Sequence, residues 1–73
     1  MKLVTYTYQL AYSFREQDAK DEQDAISILQ SLYPNASIDA DYIDVAQNTE
    51  MKKVYDNRHE VVAYIFRHWM WNQ

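Results

Sequence analysis

From residue 2 to residue 14 large side chains alternate with polar ones. Val4, Tyr6, Tyr8, Leu10, Tyr12 and Phe14 hold the even positions, and Thr5, Thr7, Gln9 and Ser13 hold odd ones. A period of two puts the large groups on one face of an extended chain, so the pattern predicts a long strand over 2–14. Leu3 and Ala11 depart from it. The next ten residues, Arg15 to Asp24, are almost entirely polar. Apolar groups then return as Ala25, Ile28, Leu29 and Leu32, the spacing of one helix face. Asp18 or Asp21 is expected to cap the start, because a carboxylate accepts from the free amides there. Pro34 is expected to end the helix, since it disfavours helical geometry in Tyr33. Asp18, Asp21 and Glu22 fall in the same angular sector as Ala25, Leu29 and Leu32. The first turn is therefore expected to overhang the sheet on which the helix packs.

Residues 36–46 alternate as Ala36, Ile38, Ala40 and Tyr42 against Ser37, Asp39 and Asp41, and then Ile43 and Val45 become the apolar positions. This predicts one strand with a bulge near Tyr42, because one extra residue moves every later side chain to the other face. Asn48-Thr49 reads as a turn. Met51 to Tyr55 fits a short strand or a single helical turn, and Asp56-Asn57 fits a tight turn. His59 to Trp71 is rich in β-branched and aromatic residues and reads as a strand, although Val62, Ile65, Phe66 and Trp69 also have helical spacing. The elements then run β-α-β-β-β over a single domain, residues 1–73. The expected fold is α+β, with one helix on a mainly antiparallel sheet of three to four strands.

A chain of 73 residues without cysteine or glycine narrows the chemistry. Disulfides, thiolate metal sites and glycine-rich phosphate loops are excluded. Thr5, Thr7 and Gln9 interrupt the opening apolar residues, so no signal peptide or membrane span is expected and a cytoplasmic setting follows. Asn35-Ala36-Ser37 matches the N-glycosylation pattern, which carries no weight without export. A chain this short buries only about 60–65% of its unfolded surface, so partners or self-association would add useful burial.

The net charge of −4 conceals an uneven distribution. Residues 16–50 carry nine acids and one base, while the flanking segments are each +2. Within this middle, Asp18, Asp21, Glu22, Asp24, Asp39, Asp41 and Asp44 are candidate contact residues, together with Tyr33 and Tyr42. Acids at a helix start offset its dipole, and acids on an edge strand discourage aggregation, so each has an ordinary structural role as well. Gathered on one surface, they would imitate a row of phosphates.

Catalytic groups are few. Ser13, Ser27, Ser31 and Ser37 lie in no nucleophile motif, and only His59 and His68 are candidate bases. Asp39, Asp41 and Asp44 form the best metal candidate, but the pattern of a calcium loop is incomplete. The expectation is therefore no enzyme, no metal and no cofactor. Lys52, Lys53, Arg58, Arg67, Trp69 and Trp71 have the composition of a single-strand nucleic-acid site, against which the acidic total weighs. At least one tryptophan is expected to be buried. The reading that fits best is a non-catalytic acidic module for a basic, nucleic-acid-binding protein or complex. In style it resembles small phage or mobile-element inhibitors of host defence, of the anti-CRISPR or DNA-mimic kind, acting in the host cytoplasm. A homodimeric structural or adaptor module is the alternative, and a small metal-dependent enzyme ranks last.

Overall fold

The computed structural model describes residues 2–71; residue 1 and residues 72–73, which the expected 1–73 domain included, lie outside them. The elements are β1 (Lys2–Leu10), β2 (Glu16–Ala19), α1 (Glu22–Leu32), β3 (Ser37–Ile38), β4 (Ile43–Ala46), β5 (Thr49–Tyr55) and β6 (Val61–Trp71). All strand pairs are antiparallel, and the sheet order is β2-β1-β6-β5-β3 with β4 also paired to β5. The fold is α+β with one helix. Six strands replace the expected three to four, and the order is β-β-α-β-β-β-β.

The extra strands have two origins. The alternation over 2–14 does not run as one strand, because the chain turns at Leu10. The Ser13 amide donates to the Leu10 carbonyl (2.9 Å) and the Gln9 side-chain amide donates to the Ser13 carbonyl (2.7 Å). Tyr12 and Phe14 continue the alternation only in sequence; they project from the loop at 77% and 104% exposure. The chain then returns as β2, pairing Glu16 with Gln9 and Ala19 with Tyr6. An edge strand needs only backbone partners, so Glu16-Gln17-Asp18-Ala19 forms one without an apolar pattern. The second origin is residues 36–46, which divide into β3 and β4. The change of phase at Tyr42 is a loop over 39–42, and the register irregularity lies between Asp44 and Ala46.

The helix begins as one of the two caps predicted. Asp21 is extended, and its carboxylate accepts from the Asp24 amide (2.8 Å). Asp24 in turn accepts from the Lys20 amide (2.9 Å), satisfying a second free donor. Tyr33 closes the helix before Pro34, its amide bonded to the Leu29 carbonyl. Residues 51–55 are strand, within β5, and 61–71 are strand as well.

Register determines what the helix covers. Tyr8 faces Ile65 and Leu10 faces Ala63 across β1–β6, while Lys52 faces Ile65 and Val54 faces Ala63 across β5–β6. Ala25 and Leu29 pack on this face with Val54, Ala63 and Ile65, all five fully buried. Leu32, placed on the buried stripe by its spacing, is 55% exposed because it lies past the end of the covered area. The longest strands, β1 and β6, run on beyond the helix, where Leu3, Val4, Met70 and Trp71 are exposed. Trp69 is half-buried beneath the Lys2 ammonium (4.5 Å), so neither tryptophan enters the core.

Such a small core makes single truncations costly. Leu29→Ala is expected to lose about 2–4 kcal/mol of unfolding free energy, and Phe14→Ser less than about 0.5 kcal/mol, measured by urea denaturation.

Candidate partner-binding surface

The loop between β3 and β4 leaves the sheet through Asp39. Its amide donates to the Lys53 carbonyl and its carboxylate accepts from the Lys53 amide, both at 3.0 Å. Asp39 is thus half-buried and bonded, not on the open face of an edge strand as expected. Asp41 is exposed, and Tyr42 turns inward over the sheet just beyond the helix start.

Tyr42 joins four parts of the chain. Its hydroxyl donates to Glu22 Oε1 in the first turn of α1 (2.6 Å). Its ring lies 3.9 Å from the Arg67 guanidinium of β6 and 4.5 Å from Lys52 Nζ of β5, distances at which the ring face attracts a cation. Lys52 Nζ is also 2.9 Å from Glu22 Oε1. Arg67 binds Glu50 Oε1 through Nε (3.0 Å) and Nη2 (2.8 Å). Hydrogen bonds from Tyr42 and Lys52 hold the Glu22 carboxyl below the usual glutamate range. Burial and the bond to Glu22 push the Tyr42 phenol well above its ordinary value. Burial works against the Arg67 charge, but the bond to Glu50 outweighs it and raises the guanidinium. The first turn of α1 therefore does not overhang: the Tyr42 loop meets it, and Glu22 reaches across to β5.

The carboxylates singled out from sequence occupy different settings. Asp21 and Asp24 cap the helix, and Asp44 is exposed on β4 opposite Glu50. Asp18 is exposed on β2, opposite Thr7, on the sheet side away from the helix. Among the described residues only Glu22 of the seven forms an ion pair. Tyr33 is at the other end of the helix, lining a shallow cleft with Leu32, Pro34 and Asn57. The structure thus brings Glu22 of the helix start into contact with Tyr42, the chain neighbour of Asp41, and separates Tyr33 and Asp18 from them.

Lys52, Glu50 and Arg67 complete the cluster and were not legible as its members. Their side chains share a face only because Glu50 registers with Arg67 and Lys52 with Ile65. Alternation within Glu50-Met51-Lys52 was the available signal, but it needed the pairing of β5 with β6 to have meaning.

The second polar cluster surrounds His68. Nε2 is 2.7 Å from Glu16 Oε1 and Nδ1 is 3.2 Å from Thr49 Oγ1. The Thr7 hydroxyl, 7% exposed, donates to the same Glu16 oxygen. Burial opposes the Glu16 charge, while the bonds from Thr7 and His68 outweigh it and lower its carboxyl. The cluster ties together β1, β2, β5 and β6 and satisfies a buried hydroxyl, which is a structural clamp. Among the described residues, no three histidine, aspartate or glutamate side chains converge as a metal site.

No protein-family model matches the chain, no curated protein matches it, and no solved structure matches it.

The lowered Glu22 carboxyl links stability to acid. Its contribution is complete above the unfolded value near 4.5 and is lost as pH falls through the lower folded value. Glu22→Gln is expected to flatten this acid limb in thermal melts between pH 7 and pH 3. Tyr42→Phe, which keeps the ring over Arg67 and removes the hydroxyl, is expected to cost about 1 kcal/mol in urea denaturation at pH 7.

Proposed function

We propose that the protein is a non-catalytic binding module that docks through acidic side chains on a basic, nucleic-acid-binding protein or complex. The observation that carries this reading is the Tyr42–Glu22 hydrogen bond. It ties the acidic 39–44 segment to the acidic helix start, and we read the carboxylates that flank this bond as one rim. Among the described residues, Asp21, Asp24, Asp41 and Asp44 of that rim are in no internal ion pair. Their charge is available to a cationic partner.

Preorganisation supports the same reading. Asp21 and Asp24 are held by backbone amides, and the Tyr42 latch holds the loop that carries Asp41. Carboxylates already fixed in place lose little freedom on binding. Tyr42 serves here as the latch and not as a free anchor, because Lys52 and Arg67 approach its ring. Asp18 adds charge at the β2 edge, and Tyr33 takes no part in this rim. The mode of action is occupation of a groove that would otherwise hold phosphates, as small phage or mobile-element inhibitors of the anti-CRISPR or DNA-mimic style do. It requires no cofactor, metal or membrane, and a cytoplasmic setting suits it. No helix among the described residues is long and apolar enough to cross a membrane.

The test is capture of a partner on the immobilised protein, followed by two challenges. Raising salt from about 0.05 M to about 0.5 M is expected to release the partner. Asp41→Lys combined with Asp44→Lys is expected to weaken capture at least about tenfold, which corresponds to about 1.4 kcal/mol. Nucleic acid is expected to compete for the captured protein. Binding indifferent to salt and to both substitutions would remove the acidic rim as the docking surface.

A further inference from the structure

The helix covers one side of the sheet, and no helix or strand among the described residues covers the other. That uncovered side is ordered in rows by strand register. One row runs Asp18, Thr7, Phe66, Met51, Ile43 from the β2 edge to β4. The next runs Glu16, Gln9, Tyr64, Lys53. Carboxylates therefore stand at one edge, a lysine stands towards the other, and aromatic and aliphatic groups lie between them. Phe66 is near the centre, with the Tyr64 ring centroid 6.2 Å away, and Ile43 is 48% exposed. Lys53 makes no ion pair within the described chain.

We propose that this face packs against the same face of a second copy, forming a two-fold dimer of sheets. Two observations select a second copy as the occupant. The first is charge complementarity. A two-fold axis running along the strands between β1 and β6 reverses the strand order of the partner. It places Glu16 of one copy over Lys53 of the other and Asp18 one row along over Met51, twice by symmetry, and sets the two Phe66 rings side by side at the axis. A perpendicular axis in the same plane would put carboxylate over carboxylate. The second is area. The molecule measures 44 × 24 × 21 Å and exposes 5250 Å². One broad face is roughly a fifth of that surface, on the order of 1,000 Å², against the ~800 Å² per partner of a stable interface. Sheets packed in this way lie ~10 Å apart with strands within ~30° of alignment. The acidic rim lies on the helix side of each copy and stays free in this arrangement. The dimer therefore stands independently of the proposed acidic docking.

Sedimentation equilibrium of the full chain from about 1 to about 100 μM tests the dimer. The expected result is reversible monomer–dimer association. Phe66→Lys and Met51→Lys are each expected to weaken it at least about tenfold, with far-UV circular dichroism confirming that the variants are folded. Lys53→Glu, which sets a carboxylate over Glu16 of the other copy, is expected to weaken association at least about tenfold, with folding checked in the same way. Raising salt from about 0.05 M to about 0.5 M is expected to narrow the difference between the wild type and Lys53→Glu, because it screens attraction in one and repulsion in the other. Asp41→Lys with Asp44→Lys is expected to leave association unchanged, which separates this result from the partner-capture experiment. A wild-type chain that stays monomeric at about 100 μM overturns the proposal. So does a dimer that is indifferent to Lys53→Glu.

Discussion

The nine-pair register between β1 and β6 is the constraint from which the remaining structure follows. It joins Lys2 to Trp71 and Leu10 to Ala63, bringing the two ends of the described chain side by side in the middle of the sheet. Every other strand is added outwards from this pair: β2 on one side, then β5 with β3 and β4 on the other. Because the residues paired are so far apart in sequence, loop closure is costly before any contact repays it, and early folding is expected to be slow. The same register decides which side chains face the helix. A shift of one residue would exchange the Tyr8, Ile65 and Ala63 face for the Thr7, Phe66 and Tyr64 face.

One eleven-residue helix is too short to cover strands of nine and eleven residues. A helix rises ~1.5 Å per residue and a strand ~3.3 Å, so α1 spans about half of β6. Tyr42 extends the cover where the helix stops. It takes an apolar ring to the sheet, and it brings a hydroxyl that Glu22 accepts and a ring face that Lys52 and Arg67 use. Few other side chains combine these properties. The acidic loop around Tyr42 is consequently fixed by that tyrosine and by the Asp39 carboxylate on the Lys53 amide, against the repulsion between its charges and those of the helix start.

The two sides of the sheet differ in chemistry for this reason. The helix side joins a small apolar core to a rim of carboxylates, several of them already bonded to backbone amides. The other side has no second layer among the described residues and is held in place by a polar clamp, His68 with Glu16, Thr7 and Thr49, beside an aromatic row. Acidic docking and self-association would use opposite sides, so that one chain could carry both without competition.

Local pattern alone was sufficient for several features. Helical spacing from Ala25 to Leu29, with Asp21 before it and Pro34 after it, located α1, because caps and breakers act through neighbouring backbone groups. β-Branched and aromatic composition identified β6, and the charge excess of residues 16–50 is a property of the sequence itself. Other features depended on distant residues. Tyr12 and Phe14 continue the alternation of β1, but nothing local records that the chain turns after Leu10 and leaves them in solvent. Glu16 to Ala19 has no strand pattern, because an edge strand is recruited by the backbone of β1. Whether Glu22, Lys52 and Arg67 meet at Tyr42 is decided by strand order and register, which place residues more than forty positions apart on one face. Tertiary pairing settled those contacts because hydrogen bonds between strands do not depend on which side chains flank them.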